Sequence, residues 1–456
     1  MFARRERCVA ASLARCGGGM ITALPEPLRR AVSRYTGIVR TLEEPLPTPG
    51  EPPLFRATCE IGRADTLLGA PLGHVTGIGG AGLTRADAAA ASVGEALERY
   101  SATYIDRQRL TVATADELGA DAVAPSRFGL FSDRQYAQEA FPFRPFTADT
   151  RVAWTDGWEI TSGRRVLLPA ELVYLGDAGF GAMRIGYATS SGMACAPSVD
   201  EACARGLCEV VERDAFMIVW ANRLSLPRLD WGGEPRLVAL EERLFARTGL
   251  TYSVIDLSSI HGLPSFLGVV RSERGRWGAF GVGAGTAPTV ERAWWKALSE
   301  AFAARSAGQK LAVLLPEPDF GPAGDGVLTF EDHIRYHSDR RRSAAAAFLD
   351  ASGATNDITD VPVIDEKDPS ATVLALAERV HRAGSTAYAV DVTSPDVRSL
   401  GLVVIKVVAP EFCTLDVPHA ARFLGGPRLY QGAYEAGLSD AVLCPDDVNS
   451  EPHPFP

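Results

Sequence analysis

Ala188-Thr189-Ser190-Ser191-Gly192-Met193-Ala194 leads, after one helix start, into Glu209-Val210-Val211-Glu212-Arg213. Glutamates at i and i+3 share one helix face, with Cβ atoms about 5–6 Å apart, and repel each other there. A shared cation resolves that conflict. Hard oxygen ligands beside an arginine point to Mg2+ carrying a polyphosphate. For a single copy, a solvated helix face with salt bridges to the arginine explains the pattern equally well. A second copy stands upstream, Glu95-Ala96-Leu97-Glu98-Arg99, and the repetition favours a site.

The repeat extends beyond the glutamates. Thr84-x-x-x-Ala88-x-x-x-x-Val93-x-Glu95 aligns with Ser198-x-x-x-Ala202-x-x-x-x-Leu207-x-Glu209 and with Thr289-x-x-x-Ala293-x-x-x-x-Leu298-x-Glu300. Each segment opens on a hydroxyl suited to an N-cap, and Ser198 with Glu201 reads as a capping box. Each follows a Gly-rich stretch, so the expectation is strand or loop, glycine turn, then a helix carrying its Glu about three turns in. In the third copy Ala303 and Ala304 replace the second Glu and the Arg, and Arg305 follows at once.

These segments resemble the YcaO family, enzymes that use ATP to activate peptide backbone amides. The matching stretches are Gly80 through Ser101, Ala188 through Arg213 and Gly283 through Arg305, within a similarity spanning residues 60–430. The resemblance implies an α+β protein, a single integrated YcaO-type fold with helices lining an ATP cleft. It assigns Glu95, Glu98, Glu209, Glu212 and Glu300 to Mg2+, and adds Arg99, Ser191, Arg213 and Arg305 as nucleotide contacts, the arginines facing phosphates. No Gly-x-x-x-x-Gly-Lys-Ser/Thr occurs, which excludes a P-loop. Three positions depart from the family pattern: Gly80-Ala81-Gly82 lacks its Lys, Ser191 replaces an Asn, and Ala303 replaces a Gln.

The sequence closes on Glu451-Pro452-His453-Pro454-Phe455-Pro456. Proline fixes φ, so this segment is a stiff rod that loses little entropy on docking. Such segments commonly serve as disordered ends or partner ligands. Within the family, a Pro-x-Pro-x-Pro terminus resembles the azoline-forming cyclodehydratases, in which the tail reaches the active site; Gly425-Gly426-Pro427-Arg428-Leu429-Tyr430 resembles the same subgroup. The resemblance implies conversion of Cys, Ser or Thr in a ribosomal precursor peptide to thiazolines or oxazolines, with the Pro456 carboxylate orienting substrate or moving a proton. It also implies a homodimer, a separate E1-like or ThiF-like leader-binding protein, and a flavin dehydrogenase as a further partner. Two alternatives stand beside it: a non-catalytic nucleotide- or peptide-binding scaffold subunit, and a related enzyme making thioamides or amidines.

Composition narrows the class. The 456 residues carry a net charge of −10, with 46% hydrophobic and 22% charged residues, as in ordinary globular proteins. The negative balance, with no basic run interleaved with aromatics, argues against nucleic acid. No stretch is long and apolar enough to span a bilayer, and the N-terminal run is too short for a secretory signal. Eight cysteines include no Cys-x-x-Cys and read as free thiols of a cytoplasmic protein. His333 and His337 have helical spacing without a third ligand signal and read as surface or core residues. Gly77-Ile78-Gly79-Gly80-Ala81-Gly82 matches a dinucleotide fingerprint, but that site requires its acid at the end of a second strand, and the acids that follow lie inside the helix itself. The expected organisation is a Pro-rich region over 1–60, a catalytic domain over 61–430 and a tail over 431–456. Met20 is as plausible a start as Met1.

Overall fold

Each of the three repeats folds as a helix lying on its own sheet. The computed structural model describes residues 17–46, 50–62, 78–179, 183–321 and 324–455. Helices α1 (Arg85–Thr103), α2 (Val199–Ala221) and α3 (Val290–Leu314) are the signature helices. Thr84 Oγ1 accepts from the Asp87 amide at 3.1 Å and caps α1. Ser198 Oγ accepts from Glu201 N at 3.2 Å, but the Glu201 carboxylate turns to Arg205 at 3.5 Å, so only half of the expected capping box forms. Thr289 precedes α3 and its side chain makes no cap bond, which corrects the third expected cap.

The first sheet is β1 (Val39–Glu43), β2 (Phe55–Ile61) and β3 (Gly79–Gly82), all antiparallel, with α1 packed across it. The second contains β4 (Thr111–Ala113), β5 (Val152–Glu159), β6 (Arg165–Pro169), β7 (Met193–Ala196), β13 (Tyr388–Asp391) and β14 (Val403–Val408). Its order is β4-β5-β13-β14-β7, with β6 also pairing β5. The third runs β11 (Phe280–Thr286), β10 (Ser265–Arg271), β9 (Thr251–Asp256), β8 (Arg228–Asp230) and β12 (Thr355–Asp357). Every pairing is antiparallel except β8 with β12, which makes the architecture α+β.

Alternation along β14 shows how the layers meet. Val404 and Val408 pack in the cluster built on α1, whereas Ile405 and Val407 pack in the cluster built on α2. The second sheet is thus sandwiched between the first two signature helices. Helix α2 is buried nearly all round, against β14 on one side and α5 (Pro369–Arg382) and α6 (Arg428–Glu435) on others.

Two expectations are corrected. The glycines ahead of the helices are not turns: Gly79–Gly82 form β3, and Gly281, Gly283 and Gly285 lie within β11. A Cβ at Gly283 would sit 2.3 Å from Ala301 N of α3, so the need is close helix–strand approach. Gly192 alone fits the turn reading, with φ of 81° and a Met193 N to Ser190 O bond of 2.9 Å. The region boundaries also shift, because residue 60 falls inside β2 and residue 431 falls inside α6. Sheet pairing ties residues 39–61 to α1, and Phe455 near the C-terminus is only 1% exposed.

Candidate active site

Three signature helices converge their acidic faces on one cleft. Glu95 accepts from the Gly79 amide at 3.2 Å and pairs with Arg99 at 3.3 Å. Glu98, one turn on, accepts from Cys195 N of β7 at 2.8 Å, joining α1 to the second sheet. Glu209 pairs with Arg213 at 3.2 Å. Glu212 is 1% exposed and accepts from Thr286 N of β11 at 2.7 Å, joining α2 to the third sheet. Glu209 is the electrostatic hub, repelling Glu95, Glu98 and Glu300 alike.

Burial of so many acids favours their neutral forms. It pushes Glu98 up to about 8, with Glu209 and Glu95 adding to the rise, and also lifts Glu95. Burial likewise lifts Glu300 to about 7, with Lys296 opposing it.

Two lysines in this cleft were not identified from sequence. Lys296 donates to both Glu212 oxygens at 2.8 Å and lies 3.8 Å from Glu300. Burial works against its charge, but Glu212 and Glu300 outweigh that and hold it above its ordinary range. Its signal was present: each signature helix carries a base four residues from its glutamate, placed before Glu300 instead of after it. Lys406 on β14 is 5% exposed and donates to Thr189 O at 2.8 Å and Ser191 O at 2.5 Å. Burial pushes it down to about 8, with Glu209 opposing and Arg99 adding to the fall.

Other expected site residues lie differently. Ser191 is buried at the turn before β7, where its carbonyl meets Lys406. Arg305 is drawn away from the acidic cleft: its guanidinium pairs with the buried Glu51, which also lies 3.5 Å from Arg56. Pro456 lies outside the described residues. Its neighbour Phe455 lies beneath Arg213, whose guanidinium carbon is 4.0 Å from the ring centroid.

The tail is held by histidines of α4 (Phe330–Ser338), which are core residues. His337 donates to Pro452 O at 2.6 Å, and the His333 ring bonds His453 O at 2.8 Å and stacks on His453 at 4.1 Å. His453 Nε2 donates to Asp416 O at 2.9 Å. Burial pushes His337 down to about 3 from an ordinary 6.5. The unfolded chain therefore protonates first on acidification, and the stability contributed by neutral His337 is lost as the pH falls from about 6.5 toward about 3. His337→Gln keeps an N–H for Pro452 O without titrating. Its melting temperature should fall less steeply than wild type below about pH 6; parallel curves would show that His337 does not titrate in this way.

The donor set fits Mg2+ and a polyphosphate. All five expected ligands offer hard oxygens. Glu98 and Glu300, raised by burial, would release protons when a cation binds. Arg213 Nε and Nη1 are buried without a partner among the described residues. Also among the described residues, no three His, Cys, Asp or Glu side chains converge tightly enough to cage an ion alone. Mg2+ is commonly bound through one or two carboxylates together with waters and substrate phosphates, which this arrangement allows.

Comparison with known proteins agrees with this geometry. Residues 79–413 match the family model described as YcaO cyclodehydratase, ATP- and Mg2+-binding. A Rhizobium leguminosarum bv. trifolii protein from the tfuA 3′ region is 30% identical over 225 residues, 47% of this chain and 50% of that protein. A heterocyclase solved with substrate and cofactor superposes with a TM-score of 0.78 at 26% identity, covering 94% of this chain and 57% of that one. The heterocyclase TruD superposes at 0.65 with 27% identity, covering 80% and 50% respectively. The chain spans about half the length of the curated relatives it matches. With three matching signature helices and a family model that covers most of its length, the chain belongs to the YcaO family.

Proposed function

We propose that this chain is an ATP- and Mg2+-dependent cyclodehydratase that converts Cys, Ser or Thr residues of a ribosomal precursor peptide to azolines. The observation that carries this reading is the acidic cleft of α1, α2 and α3, with Arg213 lying on Phe455 of the docked tail. A substrate side chain adds to the preceding backbone carbonyl, leaving an oxyanion that is a poor leaving group. ATP with Mg2+ would supply the phosphoryl group that lets this oxygen depart. Glu95, Glu98, Glu209, Glu212 and Glu300 would hold the metal, and Arg99 and Arg213 would neutralise phosphate charge. Lys296 pairs with Glu212 and opposes the rise that burial imposes on Glu300. The cleft's contribution is positioning and electrostatics.

Incubation with ATP, Mg2+ and a Cys- or Ser-containing precursor tests the reading. Loss of one water per modified residue, with matched phosphate release, supports it. Exchange of oxygen for sulfur would instead identify a thioamide-forming enzyme, and nucleotide binding without turnover would identify a scaffold.

Substrate delivery belongs to a second protein in this proposal, one of the E1-like or ThiF-like kind, which raises the local concentration of peptide. The similar heterocyclase structures extend well beyond the part that this chain matches. The isolated chain should therefore bind the precursor weakly and turn it over slowly, with both improving when the partner is added. Submicromolar binding of the precursor's leader segment by this chain alone, measured calorimetrically, would contradict this division of labour.

A further inference from the structure

Lys406 is a buried cation that pairs with no carboxylate among the described residues. It stands on β14 in the alternation of Val404 and Val408, which places it on the α1 side of the second sheet. Its Nζ donates to the carbonyls of Thr189 and Ser191. These carbonyls converge because the turn from Ser190 to Met193, with Gly192 at φ of 81°, folds the loop back over β14. Val407 N donates to Gly192 O at 2.8 Å and fixes that register.

Carbonyls satisfy protons but carry no net charge. An ammonium has three protons, and two are used here. Among the described residues, no carboxylate makes an ion pair with Lys406. Glu209 acts on it only from a distance, and its own partner is Arg213. Arg99 repels it and is turned to Glu95. Burying an ammonium without a counter-charge is costly, so a position like this is stabilised when an anion arrives.

We propose that Lys406 is a polyphosphate-binding residue of the cleft, braced by the Thr189 and Ser191 carbonyls so that its remaining N–H meets the phosphates of bound nucleotide between α1 and α2. The proposal rests on the reading of the cleft as a nucleotide site. It accounts for a lysine in an otherwise apolar strand, and for a turn that aims two carbonyls at one atom. A purely structural alternative is that Lys406 only props the loop.

Substitution separates the two. Lys406→Gln retains an amide NH2 that can donate to both carbonyls but carries no charge, and Lys406→Arg retains the charge. Affinities for AMP and for a non-hydrolysable ATP analogue with Mg2+ should be measured by calorimetry on the full chain, beside the melting temperature. Lys406→Gln should leave AMP affinity within about twofold and weaken the triphosphate at least about tenfold, the scale of one charge-assisted hydrogen bond. Lys406→Arg should lose about threefold or less. Equal losses for AMP and the triphosphate, or no loss, would overturn the proposal in favour of a loop prop. If wild type binds no Mg·ATP analogue, the nucleotide reading fails and this proposal with it. Should Lys406→Gln not fold, Lys406→Met decides by the same criterion, because it keeps the apolar stem without the charge: a triphosphate loss of at least about tenfold with AMP affinity unchanged supports a phosphate contact, and parallel losses or none overturn it.

Discussion

Glu98→Gln should abolish cyclodehydration, by at least ~10²-fold, while making the metal-free protein more stable. Glu98 is held up to about 8 by burial and by Glu209 and Glu95, so at neutral pH its ionised form is unfavourable in the fold. Gln mimics the neutral carboxyl and still accepts from Cys195 N. The sign follows from linkage. A carboxyl raised from 4.5 to about 8 costs stability once ionised, so the variant's advantage should be greatest above about pH 8 and fade toward about pH 4.5. Glu212→Ala should behave in the opposite way despite the shared motif. It removes the acceptor for Thr286 N and the counter-charge of Lys296, which is about one-third exposed. We expect a loss on the order of 2–4 kcal/mol as well as lost activity. Deleting a carboxylate is therefore expected to relieve repulsion at Glu98 but not at Glu212. Melting curves with and without Mg·ATP check both; a destabilised Glu98→Gln or an unperturbed Glu212→Ala would contradict the electrostatic layout.

Phe455→Ala should be the most damaging single change in the tail. The ring is 1% exposed, packs 4.9 Å from Phe216 and carries Arg213 on its face. Truncating a buried Phe costs about 3–5 kcal/mol, and here it also frees the arginine that pairs with Glu209. The tail's expected role is in the peptide step, and Arg213 is an expected phosphate contact. The Arg213–Phe455 stack couples the two. The variant should therefore weaken affinity for the Mg·ATP analogue as well as slow product formation, and Phe455→Leu should restore stability better than it restores binding. Unchanged nucleotide affinity in Phe455→Ala would show that Arg213 does not depend on the ring.

What was legible in the sequence was whatever a helix period carries. Glu95 with Glu98, and Glu209 with Glu212, share faces because of i,i+3 spacing, and that fixed both the helices and the side they present. Lys406 was hidden because a single lysine in an apolar strand reveals its face only once β14 is paired with β7 and β13. The ion pair of Arg305 was hidden because its partner Glu51 lies in the Pro-rich N-terminal stretch, whose packing no local pattern announces. The glycines were taken for turns because Gly serves turns and close approach equally, and only the distance from β11 to α3 separates the two.

The docked tail has a consequence for the order of assembly. Arg213 of α2 settles on the ring of Phe455, more than two hundred residues further along the chain, and the core of α2 closes over it. A nascent chain therefore carries an unfinished apolar face on α2 until the segment around Phe455 emerges. Contacts between such distant segments form late and slowly, which exposes intermediates to aggregation. Refolding yield should accordingly be more sensitive to temperature and protein concentration than the stability of the finished fold implies.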